Sequence, residues 1–414
     1  MKMLFICGVT PSKNGLVCAS WINGIISRLG SDFELAVLPE RGQTIDEQSV
    51  EALGKSILIL SSQLWDSAES FAKTLERENI GAVVIFGTES PYTLPAVELC
   101  KKAGVLHKTA LFAQGIACAC AKHYAEGLPH RVVTRRTFRD FLRRSNIKAE
   151  QNRMESRAEN ERKAIEQIRH FIGRTTLDLA VLRMYNSKGA YYKCNDILRS
   201  CFYSGKWSLE SCEKHRIFIS QYYYPLKGFH YLLEAAAMLK EKYPDLIIAA
   251  AGYNPIEKSL TKRELKDSSY IRYIKSLITK YNLQNSVELL GELDAEQMKH
   301  EYLRANVFVM PSTIENSPNS LAEAMMLGTP CVVSDVGGIS DLAEHRTEAF
   351  IYPSSASYLL THYLDRLFSD EKTALRLSEN GRLRALREYD SEENIKQLEK
   401  AFTDISETKK EGNA

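Results

Sequence analysis

The chain has 414 residues, with 54 Lys and Arg against 52 Asp and Glu, 44% apolar and 26% charged residues. These proportions exclude a disordered, collagen-like or fibrous chain. A formal net charge of +2 argues against a general nucleic-acid binder, which carries a clear basic excess.

The elements follow in chain order. The first apolar run, Leu4-Phe5-Ile6-Cys7, is too short for a signal-peptide core or a membrane span and suits a buried strand. Strands are predicted at Met3–Cys7, Phe33–Leu38, Ser56–Leu60, Ala82–Phe86 and Thr109–Phe112, with helices at Leu16–Leu29, Asp66–Glu78 and Leu94–Lys102 between them. Continuous apolar strands joined by helices imply a parallel sheet covered on both faces. A long polar helical region follows from Arg131 to about His170, then strands at Phe171–Thr175 and Tyr191–Cys194.

The pattern restarts at Arg216. Strands are expected at Arg216–Ser220, Leu246–Ala251, Ser286–Leu290, Asn306–Met310 and Cys331–Ser334. Helices are expected at Gly228–Lys242, Ser269–Tyr281, Ala295–Ala305, with Asp294 and Gln297 as a capping box, and Asn319–Leu327. A boundary therefore falls near 205–215. The expected organisation is two Rossmann-like α/β domains, 1–208 and 209–390, and a final amphipathic helix over 391–414 that returns to the first. Nine irregularly spaced cysteines without a CxxC pair read as reduced cytosolic thiols, with no metal site.

Loops after strands hold the chemistry of doubly wound sheets, and the richest of them starts at Pro311. It reads PSTIENSPNSLAEAMMLGTPCVVSDVGG: a polar loop, a helix, a Gly-Thr-Pro turn and a strand. Glu315 and Glu323 lie eight residues apart. Ser317 is expected as N-cap and Pro318 as the first helical residue, leaving the amides of Asn319, Ser320 and Leu321 free to bind phosphate. Carboxylates beside such a terminus accept hydrogen bonds from ribose or sugar hydroxyls. The ligand this arrangement suits is a nucleotide-sugar.

These residues resemble the E-x7-E region of glycosyltransferase family 4, whose fold is GT-B, two Rossmann-like domains facing a central cleft. The resemblance extends to Ser286–Gly291 with Leu293, to Leu246–Gly252, to the lysine loop Ser220–Gly228 and to Gly337-Gly338-Ile339-Ser340-Asp341. In the first domain, Phe86-Gly87-Thr88-Glu89 and Ile172-Gly173-Arg174-Thr175 with Asp178 resemble a bacterial branch that makes surface polysaccharides. The resemblance implies a retaining hexosyltransferase that uses a nucleotide-sugar donor, a saccharide or lipid-linked saccharide acceptor and no cofactor. Glu315 and Lys227 would be catalytic, Glu315 on donor-sugar hydroxyls and Lys227 on the leaving diphosphate. Glu323 would hold the ribose, and Gln221, Asn316, Ser317, Asn319, Ser320, Leu321, Gly291 and Gly15 would complete the donor site. Gln221 stands near where the family has an Arg. Acceptor-side candidates are Gln114, His123, Thr88, Glu89 and Arg174.

Seven basic residues against Asp140 and Glu150 over 131–150, interleaved with Val132, Phe138, Phe141 and Leu142, suggest a basic helix in peripheral contact with the anionic inner face of the cell membrane. Two alternatives remain open: a nucleotide-sugar epimerase, and a non-catalytic scaffold of a polysaccharide assembly complex, which Gln221 keeps in view.

Overall fold

A computed structural model describes residues 1–12, 15–18, 20–256, 259–262 and 264–410, with the backbone alone between 10 and 20. The chain divides into two units. The first comprises Met1–Cys118, Ser156–Arg199 and Tyr389–Ala414; the second comprises Ala119–Glu155 and Ser200–Glu388.

The first unit contains β1 (Lys2–Cys7), β2 (Val9–Ser12), β3 (Gly15–Cys18), β4 (Glu34–Pro39), β5 (Gln48–Ala52), β6 (Lys55–Ile59), β7 (Ile80–Phe86), β8 (Thr109–Phe112), β9 (His170–Gly173) and β10 (Ala190–Lys193). Eight of them form a sheet in the order β10-β9-β8-β7-β1-β4-β6-β5. Every pair is parallel except β5 with β6. Met3 to Cys7 are fully buried, as a strand covered on both faces requires. In the core Phe5 meets Phe86 edge to face at a centroid spacing of 4.8 Å, and Phe86 stacks on Phe112 at 5.1 Å. The helix Ser391–Ser406 adds Ile395, Leu398, Phe402 and Ile405 to the same core, which explains its return to this unit.

The second unit contains β11 (Glu213–Ile219), β12 (Ile247–Ala251), β13 (Val287–Gly291), β14 (Ala305–Met310), β15 (Cys331–Asp335) and β16 (Phe350–Pro353). All pair in parallel, in the order β13-β12-β11-β14-β15-β16. The winding reverses between β11 and β14. Such a reversal opens a crevice at the carboxyl ends of the two strands.

Several expectations need correction. The helix expected at Leu16–Leu29 is shorter, Ser20–Arg28, because Gly15–Cys18 pairs antiparallel with Val9–Ser12. Lys13 and Asn14 of the Thr10–Gly15 loop lie outside the described residues. The strand expected to reach Thr175 stops at Gly173, since Thr175 caps the next helix in a capping box with Asp178. The basic helix over 131–150 is instead two short helices, His130–Thr134 and Phe138–Leu142, and the start of Ile147–Gln167. Extended Arg135 (ψ 140°) and left-handed Arg144 (φ 48°) break it.

The stretch Ala119–Glu155, which a boundary at 208 leaves with the first domain, groups with the second unit. Val132 and Ile147 enter that unit's core, and Gly127 lies so close on Tyr231 that a Cβ there would overlap the tyrosine hydroxyl.

Candidate active site

The loops after β11 and β14 meet at the reversal point of the second sheet. Lys227 Nζ donates to Glu315 Oε1 at 2.6 Å, and Ser312 Oγ donates to the same oxygen at 2.7 Å. Two glycines let the loops come this close. Gly228 (φ 64°) ends the lysine loop, and a Cβ there would overlap the carbonyl of Pro311. Gly337 (φ 57°) lies on the carbonyl of Glu315, which accepts from Gly338 N–H at 3.0 Å. Behind them, Ser334 Oγ donates to Ser312 O at 2.6 Å.

Burial alone would lower the pKa of Lys227, but the charge of Glu315 beside it, followed by Tyr224, outweighs burial and holds it above its ordinary value. The lysine is therefore a fixed cation. Its side chain is 20% exposed and that of Glu315 11%, so the pair lines an accessible edge.

The helix Asn319–Leu327 has the expected limits, but its cap lies one residue later than the motif suggests. Pro318 (ψ 114°) occupies the cap position and makes no side-chain cap bond, so Ser317 is not the N-cap. Its extended backbone postpones the first helical turn. The amide of Leu321 closes onto Pro318 O at 3.1 Å, leaving Asn319 and Ser320 as the N–H groups that precede the helical ladder. Asn316, Ser317 and Glu323 are buried, and Asn319 Oδ1 is a buried acceptor without a donor among the described residues.

Gln221 joins this group through Tyr224, whose hydroxyl donates to Gln221 Oε1 at 3.0 Å while Lys227 lies 5.8 Å from the tyrosine ring centre. Gly252 (φ 107°) packs against the Gln221 backbone and donates to Gly291 O at 2.8 Å. Gln221, Lys227, Glu315 and Gly291 are thus connected through short contacts at the ends of β11 to β14. His123 also lies in the second unit. Its carbonyl accepts from Thr313 Oγ1 at 3.1 Å, and its ring pairs with Glu126.

The remaining candidates lie in the first unit. Gly15 opens β3. Thr88 is buried, and its hydroxyl donates to Glu161 at 2.6 Å. Glu161 also accepts from the amides of Ala117 and Cys118, both at 3.0 Å. Arg174 is buried against Asp196 and donates to Ala113 O at 2.8 Å and Gln114 Oε1 at 2.9 Å. Asp178 is equally internal, accepting from Arg174 N at 2.8 Å and Tyr191 Oη at 2.6 Å.

These side chains frame the loops after β7, β8 and β9. Glu89 differs: its Oε2 is buried with no donor among the described residues, and burial raises its pKa. Sequence reasoning missed Glu161 and Asp196, which carry no local signal. Tyr224, Ser312 and Ser334 stand inside the lysine loop and the Pro311 string, where no such hydrogen-bonding role was assigned to them.

Three comparisons bear on this geometry. An uncharacterised glycosyltransferase of Bacillus subtilis is 31% identical over 41% of this chain and 44% of its own length. The chain spans less than half the length of the first curated relatives it matches. Among solved structures, sucrose-phosphate synthase from Thermosynechococcus elongatus superposes with a TM-score of 0.70 at 16% identity, covering 98% of both chains. HepE of Anabaena, in complex with UDP and glucose, gives 0.68 at 14% identity, covering 98% of this chain and 100% of that one. These likenesses show the fold, which is the GT-B class the sequence leads one to expect. Residues 206–384, which carry Lys227, Glu315 and Glu323, match the family model described as Glycosyl transferases group 1.

Proposed function

We propose that the chain is a retaining glycosyltransferase that moves a sugar from a nucleotide-sugar to a saccharide or lipid-linked saccharide in bacterial cell-surface polysaccharide synthesis, working at the inner face of the cell membrane. The observation that carries this reading is the Lys227–Glu315 pair at the reversal point of a parallel sheet, beside a helix start with open amides. The match of residues 206–384 to glycosyl transferases and a structural neighbour solved with UDP and glucose support it.

In this reading the donor diphosphate takes Lys227 and the amides of Asn319 and Ser320. Glu315, released from part of its lysine contact, accepts donor-sugar hydroxyls, and Glu323 holds the ribose. The bond from the anomeric carbon to the diphosphate oxygen breaks, and the acceptor oxygen bonds to the same face. The acceptor proton leaves with the phosphate oxygen. Lys227 stabilises the charge that develops on the diphosphate, as a preorganised cation does. In the first unit, the Glu89 oxygen without a donor among the described residues is the candidate to accept an acceptor hydroxyl.

The test is product analysis with UDP- and GDP-sugars and a glycan extract. Transfer with retained configuration, abolished by Glu315→Ala in a protein of unchanged melting temperature, is expected. An epimerised nucleotide-sugar formed from donor alone, or full transfer by Glu315→Ala, would contradict the proposal.

A further inference from the structure

The short helix Phe138–Leu142 has its faces inverted. Spacings of three and four residues put Phe138, Phe141 and Leu142 on one side, and that side is in solvent, at 55%, 68% and 65% exposure. The polar side is buried instead. Thr137 and Asp140 close a capping box, and Asp140 Oδ2 also accepts from the amide of Ser269 at 3.1 Å. The flanks are fixed too. Val132 and Ile147 enter the core of the second unit. The Asn146 amide donates to Thr134 O and Arg135 O at 3.3 and 3.4 Å, and its Oδ1 accepts from Ala149 N at 2.9 Å. A rigid polar root therefore holds an apolar tip outward.

Around the tip, Arg135, Arg136, Arg143 and Arg144 are exposed and enter no ion pair among the described residues. A protein partner of ordinary interface size engages about 20–30 residues a side, far more than this tip offers. A three-residue apolar tip ringed by arginines suits the headgroup boundary of an anionic bilayer, where apolar side chains enter and cations meet phosphates.

We infer that Phe138, Phe141 and Leu142 insert into the headgroup layer of an anionic phospholipid bilayer, with Arg135, Arg136, Arg143 and Arg144 on its phosphates. The inference leans on the proposed function only in that a lipid-linked acceptor lies at such a surface. The test is flotation of the full chain with phosphatidylcholine vesicles, with or without phosphatidylglycerol. The chain is expected to float with the anionic vesicles at low salt, less at high salt, and not with neutral ones. Phe141→Ser with Leu142→Ser, and separately Arg136→Glu with Arg143→Glu, should each cut the bound fraction by about tenfold or more. All these positions are exposed, so melting temperatures should not move. Absence of flotation at low salt, wild-type binding by either double variant, or binding of nucleic acid or an acidic protein in place of vesicles would overturn the inference. An unchanged thermal response of the same variants to UDP- and GDP-sugars separates that failure from failure of the transferase reading.

Discussion

Glu315 is held from both sides: its carboxylate by Lys227 and Ser312, its carbonyl by Gly338 N–H. Its position therefore depends on glycines that permit close backbone approach. Gly337→Ala or Gly228→Ala would place a Cβ on a carbonyl oxygen at positive φ. Either variant should destabilise by roughly 2 kcal/mol or more and weaken donor binding, since the strain falls on the loops that carry the site. Thermal melting with a nucleotide-sugar titration checks this, and wild-type values in both would remove the glycines from the account. The E-x7-E spacing and the lysine loop were visible in the sequence because they are local strings. The internal positions of Thr88 and Arg174 were not. Both look like surface polar residues until Glu161, 73 positions after Thr88, and Asp196, beside Arg174, are placed by the fold.

Elements with continuous apolar runs were the most legible, because burial on both faces leaves an unbroken hydrophobic signature. Thr109–Phe112 and Asn319–Leu327 coincide with their expected limits, and the Asp294–Gln297 capping box is present. The edge strand β5, Gln-Ser-Val-Glu-Ala with little burial, has no such signature and was not expected. The four-residue β16 was not expected either. Allegiance of 119–155 to the second unit depends on tertiary packing and left no local mark.

That packing yields two predictions. Gly127→Ala, forced onto Tyr231 at positive φ, should lower the melting temperature by several degrees, since about 1–2 kcal/mol moves the midpoint of a domain this size by that much. An unchanged midpoint would show that this contact contributes little. His230 in the helix Phe229–Leu239 is 1% exposed, and burial pushes its pKa down to about 3 from 6.5. A depressed folded-state pKa gives stability that is present above pH 6.5 and lost as pH falls toward 3, here up to roughly 5 kcal/mol. His230→Leu should flatten this part of the acid-unfolding curve, and an identical curve would contradict the assignment.

At the scale of the whole molecule, a net charge of +2 conceals an uneven distribution. The arginines between 131 and 144 cluster around an exposed apolar tip, while Gln221, Lys227, Glu315 and Gly291 gather at the ends of β11 to β14. No helix among the described residues is long and apolar enough to cross a membrane. Each unit is assembled from separated stretches of chain, and unfolding one therefore requires opening of segments distant in sequence. The central claim is that the second unit binds a nucleotide-sugar through Lys227 and Glu315. Isothermal titration of UDP- and GDP-sugars into the wild-type chain and Glu315→Ala tests it most directly. The account predicts saturable binding of at least one activated sugar by the wild type and a loss of about tenfold or more in affinity in the variant, the scale of a lost charged hydrogen bond. No binding of any of them by the wild type, or equal affinity in Glu315→Ala, would contradict it.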